Sequence, residues 1–488
     1  MLLLITTFLS RSVFIKCLGE DFVGLTSAMM NIMGFLNLAE MGFSSVVAFA
    51  LYKPIYEKDQ SGINEIVSVF AYIYNRIGWI ILLCGLALVY FLPEFFKDSG
   101  FENRVIWATF FTYLITTLLG FFVNYKETLL AADQNNYIKV RLFNIVKISK
   151  VVVQVLCLLY LDGGLYIWLL LEFSFLSVYS LVINLKIKKL YPDLVSSVKS
   201  GRELSRRYGF IYTKAKQAFF HKFSATVLQQ VTGILIYVFS NLATVTKYTN
   251  YTLITASLYT LLSSIFDSTN AAVGNLVAEK DSKKILRVFW ELQVSRYWIA
   301  TCMVYVTYTT VDLFIAVWLD KSFVLPEDIK IVLMLNLFIM LTRKTNDEFI
   351  SAVGLFKDVW APITEAVINI GVSVAAGSYL GIVGIPLGTL LSLLLIIGIW
   401  KPVFLYSEFM PQSLGQYFLR IFKYLFISFS SIVFVEQIPL HVLPIDNPYY
   451  VFINMAAQRT LEVFLMSGLI YFALAAEMRS FLKRFKRR

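Results

Sequence analysis

Apolar stretches long enough to cross a membrane recur along the entire chain and leave no segment sizeable enough for a soluble domain. A crossing helix needs about 20 mainly apolar residues to traverse roughly 30 Å of hydrocarbon. Composition agrees with that reading: 58% of the 488 residues are hydrophobic and 15% are charged, against roughly 45–50% and 25% in soluble domains. The 42 Phe and 28 Tyr suit lipid-facing and interfacial surfaces.

The net charge of +11 does not point to nucleic acid, because Lys and Arg collect in alternate loops. That placement encodes membrane topology and marks the basic loops as cytoplasmic. Cys17, Cys84, Cys157 and Cys302 are dispersed singly, so neither a disulfide framework nor a zinc site is indicated. His221 and His441 cannot form a metal cluster by themselves, and no cofactor is expected. The opening run Met1-Leu2-Leu3-Leu4-Ile5 lacks a preceding basic region and a following small-residue cleavage site. It therefore reads as the start of the first spanning helix and not as a cleaved leader.

The expected fold is an all-α polytopic membrane protein with about 14 transmembrane helices. Helices 1 to 6 are placed at about 1–17, 22–51, 73–93, 104–125, 142–161 and 165–185. Helices 7 to 12 follow at about 219–240, 249–277, 295–318, 329–350, 362–380 and 383–400, and the last two at about 417–438 and 452–476. With both termini inside, the outer loops carry only Lys16, Lys97, Arg104, Lys247, Lys321 and Lys330 at or near their edges. Nearly all other positive charge is then cytoplasmic.

An internal repeat divides the chain. Glu57-Lys58-Asp59 after helix 2 returns as Glu279-Lys280-Asp281 after helix 8, 222 positions later. The turn Tyr160-Leu161-Asp162-Gly163-Gly164-Leu165 is matched by Tyr379-Leu380-Gly381-Ile382-Val383-Gly384 at an offset of 219. The reading is two pseudo-symmetric six-helix lobes, 1–185 and 219–400, joined by a basic cytoplasmic linker at 186–218. Residues 401–488 add two extra helices and a basic tail. Six spans per copy keep both copies in one orientation, as in parallel-repeat transporters.

Several segments resemble a known family. They are Phe8-Leu9-Ser10-Arg11-Ser12-Val13-Phe14-Ile15-Lys16-Cys17-Leu18-Gly19, Leu38-Ala39-Glu40-Met41-Gly42-Phe43, Ala50-Leu51-Tyr52-Lys53-Pro54, Ala131-Ala132-Asp133-Gln134-Asn135-Asn136-Tyr137 and Ala272-Val273-Gly274-Asn275-Leu276-Val277-Ala278. The chain resembles Wzx-type oligosaccharide flippases of the multidrug/oligosaccharidyl-lipid/polysaccharide exporter superfamily. The resemblance is loose in motif but covers nearly the whole length. It implies two lobes forming a V around a central cavity, and alternating access for a polyprenyl-pyrophosphate-linked oligosaccharide in a bacterial cytoplasmic membrane. The implied partners are that lipid-linked oligosaccharide, membrane lipids, a coupling proton or sodium ion, and the pathway's glycosyltransferases and polymerase. The usual basic N-terminal extension of the family is missing ahead of Met1.

Moving such a headgroup requires groups that replace its hydration, because bare pyrophosphate and sugars are costly to place in hydrocarbon. Arg11, midway along helix 1, is the leading candidate for a pyrophosphate oxygen through its fork of donors. The alternative is pairing with Glu40, Asp21 or a backbone carbonyl. Glu40 reads equally as a structural partner of Arg11 or as a proton-coupling group. Asp267 and Asn270, one turn apart, share a face that suits sugar hydroxyls, a coupling cation or plain helix contacts. Arg343, Lys344, Asp347 and Glu348 are spaced for internal salt bridges, Arg343 beside Asp347 and Lys344 beside Asp347 and Glu348. A cationic cavity mouth is their functional reading.

Lys147 and Lys150 read as topology anchors. Gln229, Gln230, Glu365 and Asn369 are candidate cavity-lining polar groups, and Arg459 and Glu462 are spaced to pair. The rival within the superfamily is a cation-coupled multidrug antiporter, which the basic intramembrane residues disfavour. An enzyme is not expected. The outer loops are too short for a polymerase, His221 and His441 lack an acyltransferase setting, and no Walker A sequence occurs.

Overall fold

A computed structural model describes residues 2–40, 42–161, 164–355, 357–410, 412–440 and 447–485, with no strand among them. Part of the turn at 162–164, His441 and the side chain of His221 lie outside the described residues. Two compact units cover Met1–Thr246 and Lys247–Arg488.

The first unit holds α1 (Leu2–Leu18), α2 (Glu20–Leu36), α3 (Phe43–Glu57), α4 (Gln60–Phe95) and α5 (Asn103–Phe122). It continues with α6 (Glu127–Ala132), α7 (Asn136–Tyr160), α8 (Leu165–Leu190), α9 (Val198–Leu204) and α10 (Phe210–Phe239). The single helix expected over 22–51 is therefore broken. A 3-10 turn at Asn37–Glu40 closes α2, and Gly42, with φ 95, reopens the chain into α3. Only glycine adopts that backbone without strain, so the apolar run cannot continue as one helix.

The second unit begins within α11 (Leu242–Asp267), whose first turn belongs to the first unit: Thr246 donates to the carbonyl of Glu20 at 2.6 Å. It contains α12 (Asn270–Ala278), α13 (Ser282–Trp318), α14 (Glu327–Thr342), α15 (Lys344–Val353) and α16 (Trp360–Leu380). It ends with α17 (Gly384–Ser392), a π-helical stretch Leu393–Trp400, α18 (Lys401–Glu408), α19 (Leu414–Glu436), α20 (Pro448–Leu474) and α21 (Ala476–Phe485). The expected helix 8 breaks between Asp267 and Asn270. There the hydroxyls of Ser268 and Thr269 take the carbonyls of Ile265 and Phe266 at 2.6 and 2.7 Å. Such side-chain bonds compete with the helical ladder. The expected helix 10 likewise divides, at Arg343.

The two Glu-Lys-Asp copies adopt one local geometry. Lys58 and Lys280 both sit in the left-handed region, at φ 55 and 58. Asp59 then caps α4 by accepting from the Gly62 amide at 3.0 Å, and Asp281 caps α13 by accepting from Lys283 and Lys284. Each cap opens a helix of nearly equal length, 36 and 37 residues. These helices begin well before the expected starts near 73 and 295, because the Asp cap starts the helix in polar sequence ahead of its apolar pattern.

The basic segment 186–218 is structured and straps onto α4. Gln60 and Asn64 donate to the Asp193 carbonyl at 3.1 and 3.2 Å, and Arg207 and Tyr208 both reach Glu65. Gly201 of α9 lies so close to α4 that an added Cβ would sit 1.9 Å from the Ser68 carbonyl oxygen. Gly201→Ala must push α9 off α4, an overpacking strain of about 1–3 kcal/mol. Its thermal midpoint in detergent is expected to fall, whereas Gly274→Ala, with open space beside it, leaves the midpoint unchanged or slightly raised.

Seven helical runs among the described residues are long and apolar enough to cross a membrane: α4, α5, α7, α8, α13, the run 360–408 and α19. The pair α20 and α21, bent by 108°, makes an eighth if taken together. Leu83, Leu170, Leu185, Phe426 and Phe429 turn outward with more than 60% of their surface exposed. Apolar exposure on this scale suits lipid and not water. The second unit is centred on aromatic packing of Phe289, Trp290, Phe349, Tyr406, Tyr417 and Tyr424. Met478 of α21 is buried in the same core, with Phe481 packed against it.

Candidate functional site

Five helices of the first unit bring polar side chains to one buried network. Lys150 of α7 donates to Glu172 of α8 at 2.6 Å, with both side chains about one-tenth exposed. Gln154, one turn along, donates to the other Glu172 oxygen and to the Trp168 carbonyl, each at 3.2 Å. Tyr113 of α5 hydrogen bonds Thr26 of α2 and lies within electrostatic reach of both Glu172 and Arg11 of α1. Arg11 is half-buried. Lys150 is thus more than an anchor of topology; it neutralises a carboxylate in an apolar helix, where an unpaired charge is expensive.

Glu40 lies in a second place in this unit. The Tyr74 hydroxyl donates to its carboxylate. Both line a cavity of about 470 Å³ together with Asn37, Ser44, Asn124 and Glu127. Glu127 pairs with Lys139 at 2.9 Å and accepts from Tyr179 at 3.1 Å. Thr116, Thr117 and Gly120 of α5 line the same cavity. They follow Tyr113 at helical spacing, so one polar face of α5 connects the Arg11 network to the Glu40 cavity.

In the second unit, the candidates around the broken helices come together. Asp267, Asn270, Lys344, Asp347, Glu348 and Ser351 line a cavity of about 400 Å³. Arg343 donates to Asp347 at 2.7 Å, as the spacing predicts. Lys344 instead crosses to Asp267 at 3.1 Å, leaving Glu348 to Arg296 at 2.6 Å. Asn270 reaches Asp267 at 3.5 Å. Arg343, Lys344 and Arg296 thus each meet a carboxylate, Asp347, Asp267 and Glu348 in turn.

Arg296 is the functional candidate that sequence reasoning missed. It is 1% exposed, donates to Thr345 and Thr269 at 3.0 and 3.2 Å, and covers the Phe266 ring at 5.0 Å. Its place near the expected start of helix 9 disguised it as a boundary charge, whereas α13 begins at Ser282. Glu172 was also missed, although a lone carboxylate within the apolar run 165–185 is itself a signal. Asn369 is buried and donates to Thr389 at 2.9 Å. Arg459 pairs with Glu462 at 3.0 Å as expected, and also donates to the Val435 carbonyl.

No protein-family model matches the sequence, and no curated protein matches it either. Solved structures do. The lipid II flippase MurJ, in an inward closed conformation, superposes with a TM-score of 0.68 at 14% identity over 97% of this chain and 98% of its own. The two folds are alike over nearly their full lengths. An inward-facing multidrug resistance MATE transporter of the MOP superfamily superposes at 0.60 with 12% identity, covering 82% of this chain and 95% of that one. A MATE transporter of Vibrio cholerae gives 0.53 with 14% identity, covering 83% and 94%. Broken helices and buried ion pairs recur in both units, as expected where irregular backbone at membrane depth lies beside polar side chains.

Proposed function

We propose that this chain is a flippase that carries a polyprenyl-pyrophosphate-linked oligosaccharide from the cytoplasmic to the outer leaflet by alternating access. Its setting is cell-surface polysaccharide biosynthesis in a bacterial cytoplasmic membrane, with about fourteen crossings and both termini inside. The observation that carries this reading is the extent of the structural match. A lipid II flippase accounts for 97% of the chain, whereas the multidrug transporters account for 82–83%. The fold is common to both classes, and the chemistry of the cavities adds support to the flippase reading. The first-unit cavity is rich in amides and hydroxyls, among them Asn37, Ser44, Thr116, Thr117 and Asn124. Such groups exchange hydrogen bonds with sugar hydroxyls at little net cost.

In this reading Arg11 meets a pyrophosphate oxygen, and Asp267 and Asn270 hold sugar hydroxyls. Arg343 and Lys344, balanced by Asp347 and Asp267 at rest, exchange those partners for the anionic substrate. Glu40, held by Tyr74, takes the coupling proton or sodium ion. The expected pathway partners are the glycosyltransferases that build the oligosaccharide and the polymerase that consumes it.

The multidrug antiporter is the second reading, favoured by the likeness to MATE transporters and by the carboxylates Glu40 and Glu127 in one cavity. A strain deleted for the gene separates the two. The flippase reading expects loss of surface polysaccharide with cytoplasmic accumulation of its lipid-linked precursor, and unchanged efflux of cationic dyes. Lost dye efflux with normal polysaccharide would establish the antiporter instead.

A further inference from the structure

The outer face of the first unit carries a groove that the transport reading does not use. α7 and α8 run antiparallel, so the start of one and the end of the other lie together. There they enclose a groove of about 640 Å³. Arg141, Lys186 and Lys189 ring its polar end, and all three are exposed. Among the described residues none of the three forms an ion pair, although Lys139 on the same turn is taken by Glu127. Below the cations the walls are Leu142, Ile145, Val182 and Leu185. Ile145 is 50% exposed and Leu185 68%.

Three cations over an apolar trough complement one kind of molecule, with a phosphate at one end and acyl chains at the other. We propose that this groove is a binding site for an anionic glycerophospholipid of the bilayer leaflet that meets the α7–α8 basic end. A basic pocket between transmembrane helices is a recognised physical solution for such headgroups. Arg141 supplies a planar fork to the phosphate oxygens, and the two lysines supply mobile point charges. The long side chains extend from helix turns whose next residues inward are apolar, so phosphate and tail are held in register with the bilayer. The site is independent of the transported substrate, because its lining shares no residue with the cavities described above.

Native mass spectrometry of the full-length protein tests the proposal, using phosphatidylglycerol, phosphatidylcholine with the same acyl chains, and glycerol 3-phosphate as probes. Phosphatidylglycerol is expected to bind and to survive activation that strips phosphatidylcholine, while glycerol 3-phosphate does not bind. Each cation near an anionic headgroup is worth about fivefold, so R141Q/K186Q/K189Q is expected to lose about a hundredfold in affinity. A charge-matched control, K53Q/K280Q/K357Q, retains binding. Val182→Trp fills the trough while keeping all three cations and is also expected to weaken binding. Equal binding of the two lipids, equal loss in the control, or full binding by the triple variant would overturn the proposal. So would tight binding of glycerol 3-phosphate, which would make this a soluble-phosphate site.

Discussion

Arg296→Ala is expected to lower the stability of the second unit more than any other single truncation of a charged side chain. Its partner Glu348 has a 3% exposed side chain, and among the described residues the other hydrogen-bond partner of that carboxylate is the Thr269 hydroxyl at 3.2 and 3.3 Å. Removing one member of such a pair leaves an uncompensated buried charge and costs about 3–5 kcal/mol. Thr345 and Thr269 also lose a donor. In a unit of this size that loss lowers the thermal midpoint by about 6–20 °C, measurable by fluorescence-detected unfolding in detergent. The double replacement Arg296→Met with Glu348→Leu removes both charges and is expected to recover most of the loss. Failure of the double variant to recover would show that the pair fixes the broken helices through geometry that apolar packing does not replace.

The second large effect concerns transport and not stability. Arg11 stands on α1, half-buried and facing the Tyr113–Glu172–Lys150 network. If it meets the pyrophosphate, Arg11→Ala removes a charge-assisted hydrogen bond worth about 1.5–3 kcal/mol. Transport at matched expression is then expected to fall by about tenfold to a hundredfold. Arg11→Lys keeps the charge but not the planar fork, so it is expected to fall between the two. Export by Arg11→Ala at the parental level would remove Arg11 from the substrate path.

Contacts within a helix were readable from spacing, and contacts between helices were not. Arg343 meets Asp347 and Arg459 meets Glu462 because positions three and four apart share a helix face. Lys344 obeyed the same rule on paper but found Asp267, 77 positions away, and Glu348 found Arg296, 52 away. No local pattern carries that information; it depends on which helices pack together. The Glu-Lys-Asp repeat was visible because one chemistry serves both copies, a left-handed Lys followed by an Asp cap. The helix breaks were hidden inside apolar runs. Hydropathy registers transfer from water, whereas the breaks arise from Gly42 and from the hydroxyls of Ser268 and Thr269, each a backbone effect. Likewise Lys150 resembled a loop-edge charge until α8 placed Glu172 against it.

The flippase account is tested most directly with purified protein in liposomes that carry a fluorescent polyprenyl-pyrophosphate-linked oligosaccharide in both leaflets. A membrane-impermeant glycosidase or quencher added outside reports how much of the pool can reach the outer leaflet. The account predicts that active protein makes nearly the whole pool accessible, that liposomes without protein stop at the fraction initially outside, and that cationic dyes are not moved. Protein-containing liposomes that stall at the protein-free fraction while accumulating or expelling a cationic dye would contradict it.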